Sequence, residues 1–177
     1  MPNSILARVP NPPATMDGLA GVSRVRGQFQ VVAVAPIRAG ETILTVRGRP
    51  CDHPSQTSIQ VGVEEHIDVP EGLALERVLD EHPWRFLNHS CDPNAMFRGR
   101  ALVAIRGIRA WDEITFHYNS TEWDMAVPFQ CCCGSLFCAG TIQGFKHLSR
   151  AERLRLRPFL AEHLRQRLNG RTERNGG

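Results

Sequence analysis

The chain has 177 residues and a mass of 19.8 kDa, the size of one compact domain, which excludes a large multidomain enzyme. With 42% hydrophobic and 22% charged residues it has the composition of a soluble globular protein, not of a disordered or collagen-like one, and no run of roughly 18 apolar residues offers a membrane span. The net charge of +3 is unevenly spread: from Lys146 onward nine basic residues face Glu152, Glu162 and Glu173, a local balance of +6, so residues 1–145 carry −3.

Residues 1–20, with Pro2, Pro10, Pro12 and Pro13, read as an extended arm that cannot form a continuous helix. They hold neither a long apolar core after a basic start nor a small-residue cleavage site, so no secretory signal is read there and the expected compartment is the cytoplasm. Short β-prone runs follow at 28–34, 42–46, 57–63, 95–98, 101–106 and 113–118. A helix is predicted over 73–82, where Leu75, Val78, Leu79 and His82 share one face before Pro83 stops the pattern. A second helical stretch opens on Ser149 as its cap and carries Leu154, Leu156, Phe159, Leu160, Leu164 and Leu168, with Pro158 dividing or kinking it.

Six cysteines occur, and in a reducing compartment a cluster such as CCCGSLFCAG at 131–140 points to metal ligation before disulfides. Four thiolates hold zinc tetrahedrally in a closed, structural site. Cys131, Cys133 and Cys138 supply three. Cys91, within NHSCDPN, is the best fourth because Cys51 has no neighbouring motif, and Cys132 points away if Cys131 and Cys133 converge, since adjacent side chains in extended chain face opposite ways.

The segments RFLNHSCDPN (85–94), DEITFHYN (112–119) and CCCGSLFCAG (131–140), in that order, resemble the SET-domain protein methyltransferases with a post-SET zinc motif, whose patterns are RFxNHSCxPN, (D/E)E(L/I)TxDY and CxCGxxxCxG. The resemblance implies a mainly β fold of small sheets, the β-clip, in which the segments at 88–94 and 113–118 build a pseudoknot, followed by a post-SET zinc loop and a C-terminal helical extension. The corresponding boundaries are an arm at 1–20, the SET domain at 21–121, a zinc segment at 122–144 and a basic helical extension at 145–177. It implies S-adenosylmethionine as cofactor, contacted by Asn88 and His89, with Arg85 and Phe86 flanking them, Gly27 in the first loop and Phe137 as a lid. Tyr118 matches the catalytic tyrosine. Phe116 matches the position associated with how many methyl groups fit, and Cys91, Cys131, Cys133 and Cys138 match the ligands of one structural zinc.

Three positions depart from the pattern: Val25 stands where the first glycine of a GxG loop is expected, His117 replaces an aspartate, and Tyr118 is the chain's single tyrosine. Trp123 and Phe129 are therefore the candidates for the remaining channel walls. His117 is read as a structural, hydrogen-bonding residue, and Trp84, Trp111 and Trp123 individually read as packing residues. The chemistry asks for such a channel on physical grounds. Methyl transfer from sulfonium to amine is an in-line displacement, and a lysine of reference pKa about 10.4 has to be aligned and neutral to attack. The expected partner is a protein presenting a lysine, a histone or another basic protein, with nucleic acid not required and no membrane. The competing reading is a catalytically degenerate SET fold serving as a zinc-stabilised binding module for protein or nucleic acid. The compact, arginine-rich chain is read as a small stand-alone, bacterial member.

Overall fold

The computed structural model describes residues 18–174, with side chains described to residue 169, so most of the expected arm at 1–20 lies outside the described residues. Strands β1 (Ala20–Val25) and β2 (Gln28–Ala33) pair antiparallel with Val25 opposite Gln28. The turn is therefore two residues, Arg26 and Gly27, both at positive φ (50° and 84°), the backbone twist that two-residue hairpins require. Val25 lies in the strand, so its departure from glycine leaves the turn intact. The sequence pattern had no strand at β1, because its burial does not alternate.

Two three-stranded antiparallel sheets follow. Strand β3 (Thr42–Thr45) begins one of them; β4 (Arg49–Cys51), β5 (Ile59–Gln60) and β6 (His66–Asp68) make the other in the order β4-β6-β5. The strand expected over 57–63 shrinks to β5 because the Gln60 side chain turns back to donate to the carbonyls of Gly62 and Val63. Helix α1 (Leu75–Glu81) buries Val78 alone, leaving Leu75 exposed, and gives way to a 3-10 turn at Pro83–Phe86. There His82 Nδ1 and Trp84 Nε1 both reach the Arg47 carbonyl at 3.0 Å. Trp84, read as a packing residue, is buried in the main core.

Strand β7 (Asn88–His89) precedes the hairpin of β8 (Ala95–Arg98) and β9 (Ala101–Ala104), which completes the sheet β3-β9-β8. Strand β10 (Thr115–Phe116) then pairs parallel to β7, Thr115 with Asn88 and Phe116 with His89. The run expected at 113–118 is divided because it changes partner along its length: Glu113 bridges to Val32, Ile114 N–H donates to the Val31 carbonyl, β10 joins β7, and Tyr118 enters a 3-10 turn. Asn94 clamps this crossing. Its Nδ2 donates to the Glu113 carbonyl at 2.7 Å and its Oδ1 accepts from Thr115 N–H at 2.9 Å. The two segments assigned to the knot thus lie side by side, within a mainly β architecture of small sheets.

Strands β11 (Phe129–Gln130) and β12 (Thr141–Ile142) form a short hairpin around the cysteine loop. The C-terminal stretch is α2 (Arg150–Leu156), a 3-10 turn at Arg157–Phe159 holding Pro158, and α3 (Glu162–Arg174). Ser149 caps α2 in a capping box with Glu152. These helices build a second core of Trp123, Phe145, Leu148, Leu156, Leu160 and Leu164 beside the main one. Among the described residues no helix is long and apolar enough to cross a membrane.

Candidate active site

Alternation along β10 puts Phe116 and Tyr118 on one face and His117 on the other. Phe116 is buried, edge-on to Phe97 at 4.9 Å and tilted against Tyr118 at 4.8 Å. The Tyr118 hydroxyl donates to the Leu87 carbonyl at 2.6 Å. Burial, reinforced by the carboxylates of Glu122 and Glu113, pushes this phenol well above its ordinary pKa, so it stays protonated. Trp84, Leu87, Phe116, Tyr118 and Glu122 surround a narrow cavity of ≈ 60 Å³ whose mouth is formed by residues 55–59 and 125–127. Glu122 is itself buried. Its Oε1 accepts from Gln60 N–H at 2.8 Å, and His66 Nε2 stands 3.7 Å from Oε2.

On the neighbouring strand, Asn88 Nδ2 donates to Glu113 Oε1 at 2.7 Å and to the Phe29 carbonyl at 3.3 Å, tying the β1–β2 hairpin to β7. Phe86 continues this seam against the Phe29 ring at 5.0 Å. Tyr118 N–H donates to His89 Nδ1 at 3.2 Å, so the ring proton sits on Nε2, which points at Cys91 Sγ, also at 3.2 Å. Burial, helped by His117 nearby, lowers the His89 pKa to about 3 and keeps the ring neutral. Phe129 stands edge-on to both Tyr118 and His89 at 5.9 Å. Carbonyl and phenol oxygens beside aromatic faces are a chemically suitable lining for a sulfonium cation, which is what the neighbourhood of Asn88, His89 and Tyr118 offers. Phe129, expected as a channel wall, is not among the residues lining the narrow cavity and packs instead on the rings of His89 and Tyr118.

The Sγ atoms of Cys91, Cys131, Cys133 and Cys138 lie within 4.8 Å of one another, Cys91 and Cys131 at 4.0 Å. A tetrahedral zinc with bonds of about 2.3 Å needs sulfurs about 3.8 Å apart, so the four thiols fit that ion with little movement. Burial pushes the Cys91 thiol upward and Cys131 to about 11. His89, Cys91 and His117 also converge within 4.8 Å. A protonated Nε2 on His89 has no lone pair for a metal, which leaves the four-cysteine set as the metal candidate. Cys132 is exposed and Cys51 sits on β4, both outside the cluster.

Other expectations need correction. Trp123 does not line the channel: its ring packs on Phe145 at 6.1 Å beneath Arg167 at 4.6 Å, in the second core, because the chain after the Tyr118 turn bends toward the C-terminal helices. Phe137 is 61% exposed, 6.0 Å from the Arg155 guanidinium, and borders a second cavity together with Cys91, His117 and Leu156. Arg85 lines the narrow cavity beside Trp84, and its guanidinium lies 5.9 Å from the Phe86 ring. His117 is buried and neutral, its pKa lowered to about 4 by burial and then by Arg155, but its Nδ1 has no hydrogen-bond partner, against the hydrogen-bonding role expected. Trp111, read as packing, is 53% exposed in a turn at φ 72°. Trp84 as a channel wall, Glu122 and the Leu87 carbonyl were missed. A backbone oxygen leaves no trace in the side-chain pattern, and Glu122 lies beyond the recognisable motif.

The sequence pattern that describes the SET domain matches residues 28–119. Over 166 residues the chain is 29% identical to a methyltransferase, flvH, of Aspergillus flavus, covering 92% of this chain and 85% of that protein. It is 38% identical over 80 residues to a histone-lysine N-methyltransferase, H3 lysine-36 specific, of Chaetomium globosum, covering 41% of this chain and 9% of that protein. It is likewise 38% identical over 68 residues to the histone-lysine N-methyltransferase ASHH2 of Arabidopsis thaliana, 34% of this chain and 4% of the relative. The chain thus spans most of the first relative and only a small part of the other two.

Proposed function

The chain belongs to the SET-domain methyltransferases, and we propose that it transfers a methyl group from S-adenosylmethionine to the side-chain amine of a lysine in a protein substrate. The observation that carries this reading is the Tyr118 hydroxyl, 2.6 Å from the Leu87 carbonyl on the wall of a narrow, aromatic cavity. When bound, the cofactor supplies a methyl group on a positively charged sulfur. Gly27, Phe86, Asn88, His89 and Tyr118 are the residues that would hold it, with Arg85 and Phe137 at its edges.

The chain's own groups perform the rest. The walls of Trp84, Phe116 and Tyr118 strip water from an entering lysine and disfavour its charged form, while the Glu122 carboxylate in the same wall attracts the ammonium into the cavity. Protonated Tyr118 fixes the amine in line through its hydroxyl, and this alignment lowers the barrier. Phe116, with no hydroxyl to hold water, leaves room for an already methylated amine to turn. Cys91, Cys131, Cys133 and Cys138 would hold one structural zinc that ties the segment at 129–142 to the NHSC strand. Two of the relatives are histone-lysine methyltransferases by name, which favours a histone or another basic protein as substrate.

The test is incubation of the zinc-loaded protein with methyl-labelled S-adenosylmethionine and a mixture of histones and lysate proteins. Label is expected on lysine, with products beyond monomethyl-lysine in the mass spectrum. Tyr118→Phe is expected to lower the rate about a hundredfold with a much smaller loss of cofactor affinity. Absence of both label and cofactor binding would transfer the assignment to a non-catalytic, zinc-stabilised binding module.

A further inference from the structure

Among the described residues no arginine of the basic C-terminal region lines the cavity beside Tyr118, and these arginines are not scattered. Arg150, Arg153, Arg157 and Arg165, from α2, the 3-10 turn and α3, line one cavity of ≈ 460 Å³ floored by Phe145 and Leu160. Seven arginines elsewhere form ion pairs with carboxylates, Arg38 with Glu41, Arg49 with Glu71, Arg77 with Glu81, Arg100 with Glu65, Arg106 with Asp92, Arg109 with Asp112 and Arg167 with Glu64, and the unpaired ones outside this cavity do not gather around a common hollow among the described residues. None of the four cavity arginines forms an ion pair among the described residues. The nearby acids look elsewhere. Glu152 is held in the Ser149 capping box, Asp124 is taken by Lys146 and His147, and Glu162 borders a separate hollow on the far side of Arg165.

Two of the guanidiniums are held in place by uncharged acceptors. Arg153 lies over the Phe145 ring at 5.3 Å and donates from Nη2 to the Lys146 carbonyl at 2.7 Å, yet its buried Nε has no acceptor. Arg165 donates from Nε to the Leu160 carbonyl at 3.0 Å and from Nη2 to the Arg157 carbonyl at 3.4 Å. Arg150 and Arg157 engage no side-chain partner among the described residues. Four guanidiniums without a carboxylate partner around a concave space, two of them fixed and one with an unmet buried donor, form an anion receptor, and their planar forks match phosphate oxygens. The volume is that of a small-molecule site, not of one ion, and its concave shape suits a compact ligand better than a duplex.

We propose that this cavity binds a small ligand carrying two or more phosphates. The test is calorimetric titration of the full, zinc-loaded chain with inorganic triphosphate at fixed ionic strength, with zinc content measured afterwards so that metal stripping is not read as binding. One triphosphate per chain is expected. The double variant Arg150→Gln/Arg157→Gln, its fold checked by circular dichroism, is expected to bind at least tenfold more weakly, and Arg49→Gln, which removes an arginine already paired with Glu71, to bind as the parent does. Three results each overturn the proposal: no binding, equal binding by the double variant, or inorganic phosphate matching triphosphate. A duplex oligonucleotide that binds without being displaced by triphosphate overturns it as well, and makes this face a nucleic-acid surface instead.

Discussion

At the scale of single residues, the site depends on which protons stay in place. Tyr118 is buried against two carboxylates and keeps its proton, so its hydroxyl remains a donor at pH values where free lysine begins to lose its charge. Glu122 is its companion: buried, fixed by Gln60 N–H and lining the same cavity. Glu122→Gln removes the attraction for the lysine ammonium without altering shape, so the expected result is a KM for the protein substrate raised about three- to tenfold with a smaller change in kcat, read by steady-state kinetics. His117 sets a different limit. Its folded pKa of about 4 lies below the ordinary 6.5, so the unfolded chain binds a proton that the folded one refuses. Stability from this residue is therefore full above pH 6.5 and is lost as the pH falls toward 4. Thermal melts across that window should show a declining Tm, and His117→Gln should flatten the decline.

At the scale of elements, the seam between the SET body and the C-terminal helices runs through the residues just after Tyr118. Asn119 Oδ1 accepts from Gly144 N–H at 2.9 Å, Glu122 accepts Phe145 N–H at its carbonyl, and Ser120 accepts Ala161 N–H. Gly144 sits at φ 108°, and a Cβ there would stand 2.6 Å from the Trp123 carbonyl and 2.7 Å from Asp124 Cα, both backbone. Gly144→Ala thus combines an unfavourable φ with a clash that no side chain can relieve. Its expected cost is about 2–5 kcal/mol, measured by denaturant unfolding, with earlier proteolysis of the C-terminal helices. The elements also mark where the sequence was readable. Ser149, Glu152 and Pro158 announced the start of α2 and the break after it, because capping and proline effects are local. The strands β1, β4, β6, β7, β11 and β12 were not announced, since β1 shows no alternating burial and the other five are only two or three residues long, too short for a period to carry a signal.

At the scale of the whole molecule, the cysteine set joins distant parts of the chain: Cys91 follows β7, and the other three follow β11. The same cluster touches the site through His89, whose Nε2 faces Cys91 while its Nδ1 holds Tyr118 N–H. One zinc per chain is expected by elemental mass spectrometry. Removing it with a chelator should lower Tm and increase amide exchange in residues 129–142 before the sheet β3-β9-β8 responds. The sequence by itself determined the family, the candidate tyrosine, the knot segments and the four thiols, because these are side chains whose chemistry and spacing are written in contiguous motifs. Only the tertiary structure decided that Trp123 belongs to the second core and Phe137 to the exposed edge of the cysteine loop. It also decided that Glu122 and the Leu87 carbonyl enter the channel and that four arginines meet around one cavity. Those outcomes depend on how separate elements pack against each other, a non-local free energy that no spacing along the chain records.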